Sequence, residues 1–547
     1  MKPGPPTNNS ARRSLSAGAC LLLPTIVFLV VIIFFHPVIS TGDDLFLMYK
    51  LGGGFGDAPS DLLHFDHVIH PVLGWVLSRL FSLFPSVNWY SGALLFFQWV
   101  SWVIILNNLA ALFHRAKAVL IFTLLFVAIG IWSILSLNMT ITAWIVAVAA
   151  IFKWVINNRQ TTALFPRKIL LPLLLLLVSA LLRLQIPLVI MVISIPCVYL
   201  QKKKLIRPYL LLLLICSGFF FAMNLYHKWY YREHINEWQK QEDARKVLFG
   251  RFNHPVDRTR PDSLVFKNAL EKAFLDRLFL YDDSFPGLER IREINDAQLR
   301  IRDLSKKDDI QAIYYTLRNL ALYFLYLFIL IIILSRSGYS PVFLKKALIC
   351  FLAVSAVFVY LFVFLKITEA IYAGLLLLLA VQLILLLPED DQYKTEGNRK
   401  WLYILFVLPA IWSIIRIIKL DRDHRAEQAR FTCFVQALNK EPHSLFLATD
   451  DDLPMQSFSV FALPRKWPMS NLIYKDRLLA GEQNSISANF GITGLIPDQF
   501  DHPRLRFIGS QAFPELSAYF EKRTGRKLYF EKDSTVNCFL VGRFLAK

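Results

Sequence analysis

Two adjacent carboxylates, Asp43 and Asp44, stand immediately after the first long apolar run of the chain. At a membrane boundary such a pair costs solvation and adds nothing to the anchoring of a helix. One carboxylate could take a proton from an acceptor hydroxyl as a general base. The other could orient that hydroxyl or hold a divalent cation such as Mg or Mn. An acidic hydrated loop is the plainer alternative. A few residues on come Gly52, Gly53, Gly54 and Gly56, which supply backbone freedom and N–H groups for a phosphate, or simply a flexible loop; no strand precedes them and no dinucleotide or P-loop spacing is present. His64, His67 and His70 follow at intervals of three with Asp66 beside them, a spacing that fits a metal on one helix face or an interfacial structural role.

Further cations could grip a phosphate or pyrophosphate. Arg245, Lys246, Arg251, His254, Arg258 and Arg260 cluster after a later apolar run, interleaved with Glu242, Asp243 and Asp257, so a solvated charge-balanced loop is the competing account. Lys366 and Glu369 sit at the junction of two apolar runs, where they could serve a site or pair with each other one turn apart. Cys433 and Cys538 are the tail's two cysteines and could form a disulfide or remain two buried thiols.

The elements that must position these groups are set by composition. Of 547 residues 55% are hydrophobic and 18% charged, with 45 Phe, which excludes an ordinary soluble enzyme, a disordered chain and a disulfide-stapled secreted domain. Apolar runs long enough to cross a bilayer recur along the first three quarters. The predicted fold class is an all-α polytopic membrane protein of about eleven spans with a small α+β C-terminal domain outside the membrane. Spans are expected near 17–39, 90–112, 118–136, 139–157, 168–183, 186–200, 207–226, 315–335, 343–365, 368–388 and 401–418. The first is read as an uncleaved helix after a cytoplasmic tail at 1–16.

The net charge of +19 sits in short clusters between runs, such as Arg115/Lys117, Arg159/Arg167/Lys168 and Lys202–Lys204, the pattern of cytoplasmic loops rather than of a nucleic-acid face. Alternation then puts the 40–89 loop, the large 227–313 loop and the 419–547 tail on the outer side, where Arg183 and Lys366 are the exceptional cations. Residues 67–84 are expected to lie at the outer interface, ending at Pro85, with Asn88-Trp89-Tyr90 at headgroup depth. In the tail, Ser444 to Thr449 and Val536 to Val541 read as strands and about 512–524 as a helix.

A first span ending in an Asp-Asp pair, a glycine-containing stretch, an interfacial helix from His67 and an Asn-Trp-Tyr turn resemble the GT-C superfamily of multi-span glycosyltransferases, in a little-characterised bacterial branch. Phe279-Leu280-Tyr281-Asp282-Asp283-Ser284-Phe285 in the large loop is a second echo. The resemblance implies transfer of a hexosyl or pentosyl group from a polyprenyl-phosphate donor to a cell-envelope glycan or lipid, on the outer face of a bacterial inner membrane. Asp43 and Asp44 would be catalytic, and would be the metal ligands if a metal is used; Arg245, Arg251 and Lys366 would bind the donor phosphate. His67, His70, Trp89, Tyr90, Asp282 and Asp283 would contact substrate. The partners implied are the lipid-linked sugar, a glycan or glycolipid acceptor and membrane lipid, with no nucleic acid. The rival classes are a lipid or glycan transporter or flippase, a glycan polymerase or ligase, and a scaffold whose tail binds a partner.

Overall fold

The computed structural model describes residues 15–62, 69–159, 166–234, 289–290, 293, 321, 323–334, 341–364, 368–387 and 400–448, and in the tail 454, 457–474, 486–493, 499–509, 521, 525–533 and 539–546. It is a helical membrane protein with a small strand-containing region at its C-terminal end. Among the described residues six helices are long and apolar enough to cross a bilayer. They are α1 (Ala17–Phe34), α4 (Trp89–Leu112), the continuous α5–α6 segment (Arg115–Leu135), α7 (Met139–Asn158), α10 (Ile206–His234) and α12 (Pro341–Phe364). The expected eleven therefore reduces to six by length. Shorter apolar helices are α3 (Pro71–Leu83), α8 (Pro166–Leu182), α9 (Gln185–Gln201), α11 (Tyr323–Leu334) and α13 (Glu369–Leu385).

The helix α7 is the hub of the bundle. It packs against α4, α8, α9 and α13, and nearly every residue along it is buried. A sequence apolar on all sides has no solvent face to offer and belongs in the interior. By contrast α1, α10 and α12 expose rows of large apolar side chains, including Leu22, Ile33, Leu214 and Leu352. Such rows suit contact with lipid. One polar clamp crosses the core. Gln98 of α4 donates to Ser133 O at 3.2 Å and to Thr142 Oγ1 at 2.9 Å, and its own oxygen accepts from Ser133 Oγ at 3.0 Å. Fully paired, this amide fixes the mutual register of α4, α6 and α7. A turn of π-helix at Phe126–Gly130 separates α5 (Arg115–Leu125) from α6 (Ile131–Leu135).

The expected loop after the first span is instead a buried helix, α2 (Gly42–Gly52). A short strand, β1 (Val38–Ile39), precedes it and pairs parallel with β2 (Ser136–Leu137), which leads into α7. On its other edge β1 pairs antiparallel with β4 (Phe458–Ser459) from the tail. This three-stranded ribbon fastens the end of α1, the start of α7 and the C-terminal region to one another.

The last described helix, α14 (Lys400–Lys440), runs without a break through the boundary expected at 418/419. Past that point Asp421 accepts the His36 N–H at 2.7 Å and Arg425 Nε at 2.9 Å, tying α14 to the end of α1. Beyond α14 lies a five-stranded mixed sheet of order β5-β3-β6-β8-β7. Its strands are β3 (Leu445–Ala448), β5 (Leu472–Tyr474), β6 (Leu505–Gly509), β7 (Leu528–Asp533) and β8 (Leu540–Ala546). The strand expected at Ser444–Thr449 is β3. The one expected at Val536–Val541 begins at Leu540, with 534–538 outside the described residues, as is all of the expected helix at 512–524 but Glu521. Asn471 turns α14 into the sheet, its Nδ2 donating to Leu438 O, Glu441 O and Ser444 O at 2.9–3.3 Å. Cys433 is disulfide-bonded; Cys20, Cys197, Cys216 and Cys350 are free, and Cys538 lies outside the described residues.

Candidate active site

The acidic pair occupies the first turn of α2. Thr41 is the N-cap, accepting the Asp44 N–H at 3.1 Å, and its hydroxyl donates back to Asp44 Oδ2. Thr41 thus caps the helix while its hydroxyl proton goes to the Asp44 carboxylate, so one side chain serves both as N-cap acceptor and as donor to the third helical residue. Both carboxylates thus sit where the helix's unpaired N–H groups concentrate positive potential. Their environments then diverge. Asp44 is 1% exposed, and its Oδ1 accepts the Tyr90 hydroxyl at 2.5 Å and the Met139 N–H at 2.8 Å. Tyr90 stands in the first turn of α4 and Met139 opens α7, so one carboxylate joins three helices. Burial raises the Asp44 carboxyl above the usual carboxylate range; Thr41, Tyr90, Met139 and the charge of Arg183 pull it part of the way back. Asp43, one residue earlier, is half-buried.

Arg183 lies in the short connection between α8 and α9. It is half-buried and within electrostatic reach of both Asp44 and Tyr90, as Asp43 is of Tyr90. The same end of α8 is held by His70. Its N–H donates to Leu181 O at 2.7 Å, while its ring caps α3 through Val72 N and faces Met223 O at 3.3 Å. His70 is 4% exposed, and burial pushes its imidazole below the usual range, so it is neutral near neutral pH. The acidic turn thus brings a buried carboxylate, a phenol and a guanidinium within electrostatic reach of one another.

The glycine stretch, for which the sequence leaves open both a phosphate cradle and a flexible loop, packs against another part of the chain. It is the socket for a tail segment, 457–470. Tyr49 Oη donates to Trp467 O at 3.0 Å, Arg465 Nε to Gly52 O at 3.1 Å, and Met469 N to Gly54 O at 2.9 Å. A Cβ on Gly54 would meet Tyr49 at 2.4 Å and Pro464 at 2.9 Å, and one on Gly56 would meet Ser470 at 2.7 Å. Gly56 also has φ +91°, a conformation open to glycine at little cost. These glycines admit close approach of a second chain segment, which consumes the Gly54 carbonyl that a loop would leave to water.

Of the residues expected at the site, the structure brings together Asp43, Asp44 and Tyr90, with His70 on the flank. Trp89 is half-buried, and its Nε1 donates to Phe84 O at 3.0 Å, closing the turn before α4 rather than reaching the pair. His67, Arg245, Arg251, Asp282, Asp283 and Lys366 lie outside the described residues. The expected pairing of Glu369 with Lys366 lies outside the described residues. Glu369 forms an ion pair with Arg416 of α14 and accepts Tyr323 Oη at 2.7 Å. Among the described residues no group of three His, Cys, Asp or Glu side chains could hold a metal ion.

Three participants escaped sequence reasoning. Arg183 stood out only as a cation in an otherwise cation-poor set of connections. Thr41 was legible through the Thr-x-x-Asp capping spacing. The Met139 N–H carries no sequence signal. The fold and site define a helical membrane protein with a buried acidic turn beneath its tail domain. Compared with family models, curated proteins and solved structures, the chain matches none.

Proposed function

We propose that the chain is a GT-C-like membrane glycosyltransferase. It would move a sugar from a polyprenyl-phosphate donor to a hydroxyl of a cell-envelope glycan or lipid on the outer face of the membrane. The observation that carries this reading is the asymmetry of the acidic pair. Asp44 is buried with both oxygens engaged and acts as a positioning residue, whereas Asp43 shares its helix turn, is half-buried, and lies within electrostatic reach of Tyr90, as Arg183 does. In the proposed step Asp43 accepts the proton of the acceptor hydroxyl as its oxygen forms the bond to the sugar's anomeric carbon. The anomeric carbon–oxygen bond to phosphate breaks, and the polyprenyl phosphate leaves with the electron pair. A phosphate is a weak base, so a guanidinium such as Arg183 suffices to stabilise it. A divalent cation at this pair would rest on Asp43 and substrate oxygens, because Asp44's oxygens are already hydrogen-bonded.

Two further features support the reading. A disulfide at Cys433 agrees with a tail in an oxidising compartment, and counting the five shorter apolar helices and α14 with the six long ones is compatible with the many-span layout. A lipid or glycan transporter is the second reading, and the ion pair of Glu369 with Arg416 within the apolar bundle favours it.

The test is a glycan and glycolipid mass profile of cells lacking the protein, complemented with wild type, Asp43→Asn or Asp44→Asn at matched membrane levels. The transferase reading expects a sugar-sized mass to vanish in the null strain, to return with wild type and to stay missing with Asp43→Asn. A normal profile with both variants would reject it in favour of transport.

A further inference from the structure

Asn88 occupies the N-cap of α4, two residues before Tyr90, and is 7% exposed. Capping uses only its Oδ1, which accepts the Ser91 N–H at 3.2 Å. Ser or Asp would cap as well. What distinguishes Asn is the two amide protons, and here the Nδ2 that carries them donates to Val460 O at 3.0 Å and Ala462 O at 2.9 Å, with Met48 Sδ of α2 at 3.1 Å. Both carbonyls belong to the tail segment just after β4. Opposite, β4 pairs with β1, which runs directly into Thr41.

We propose that Asn88 is a positioning residue through which the C-terminal domain sets the acidic turn. The connection is contiguous: tail carbonyls to Asn88, Asn88 to the first turn of α4, Tyr90 to Asp44, and Asp44 to the helix turn carrying Asp43. The tail domain is thus part of the construction of the site rather than an appended module. The proposal deepens the glycosyltransferase reading and rests on it only for its catalytic consequence; the mechanical link stands independently.

Two substitutions separate the link from the cap. Asn88→Ser keeps a capping oxygen but cannot reach both carbonyls, and Asn88→Asp keeps the cap and removes both donors. Amide hydrogen exchange would be followed on the full-length protein in lipid nanodiscs. Loss of the link is expected to speed exchange about tenfold or more, both in 458–469 and in 42–52, while 95–110 of α4 stays protected. Retained protection of 42–52 beside a loosened tail segment would overturn the proposal, as would unchanged exchange in both. If Asn88→Asp does not fold, Asn88→Ser alone decides the same question. Catalytically, Asn88→Ser is expected to lower kcat at least tenfold with donor KM within about threefold, and to shift the acid limb of the pH profile. Coupled exchange together with full complementation by Asp43→Asn would leave the link standing and reject the transferase reading alone.

Discussion

Two chemically identical carboxylates one residue apart stand in different environments, one buried and one half-buried. Asp44 accepts three hydrogen bonds and is buried; Asn there could keep its oxygen towards Tyr90 and Met139, but its amide nitrogen would then face the Thr41 hydroxyl and could not accept from it. Asp44→Asn is expected to cost about 1–3 kcal/mol of stability together with activity. Asp43→Asn, at a half-buried position, is expected to abolish activity at a smaller cost in stability than Asp44→Asn. Thermal unfolding in nanodiscs beside the mass profile separates the two. Equal destabilisation by both variants would refute the division of labour. Arg183→Lys tests the guanidinium: a point charge lacks the bidentate fork, and a drop of about tenfold or more in transfer is expected, with Arg183→Ala lower still. His70 supplies a pH dependence. Its folded imidazole binds a proton less readily than the unfolded one, so its contribution to stability is fully present above the ordinary value near 6.5 and is lost as pH falls below it. The unfolding temperature is expected to fall from pH 8 to pH 5, and His70→Asn, which can still cap α3, to flatten that slope. An undiminished slope would assign the sensitivity to another group.

At the scale of elements, legibility followed the physics of each segment. Runs that span a bilayer carry their length in the sequence: 90–112 is α4 at Trp89–Leu112, and 139–157 is α7 at Met139–Asn158. The helix α2 was hidden because its eleven residues are too few to span and are buried on every side, so no amphipathic stripe marks them. The interfacial helix expected at 67–84 is α3 at Pro71–Leu83, with Val72, Trp75, Val76 and Leu83 exposed on one side. The glycines were legible as glycines but not as a socket, because the segment they receive lies some four hundred residues away. Gly54→Ala tests that role. Tyr49 and Pro464 would have to move, and a loss of about 1–3 kcal/mol is expected. A flexible loop would tolerate the methyl with no change in the unfolding temperature.

On the scale of the whole molecule, the class of protein was legible and the joinery was not. Composition and apolar runs suffice for a helical membrane protein. The β1–β2–β4 ribbon, two residues per strand, depends on segments about a hundred and more than four hundred residues apart meeting at one place. Such pairings leave no local pattern. Arg416 was likewise passed over inside an apolar run, though it holds Glu369 and so joins α14 to α13. Arg416→Met is expected to destabilise the bundle by leaving Glu369 without its counter-charge, and Arg416→Met with Glu369→Gln to recover much of the loss. Absence of recovery in thermal unfolding would make the pair more than structural.

The unbroken course of α14 makes it a lever. Its portion from residue 419 to 440 extends about 33 Å at 1.5 Å per residue. A change of tilt of about 10° in the apolar part would carry the far end sideways by roughly 6 Å. Hydrogen bonds tolerate only a fraction of that. Phe431 on this arm stacks edge-on against Phe458 of β4 at 5.2 Å, and Asp421 grips His36 beside β1. Were α14 a span, as the proposed many-span layout has it, its tilt would be geared to the strand that leads into the acidic turn, and bilayer thickness would become a mechanical input to that turn.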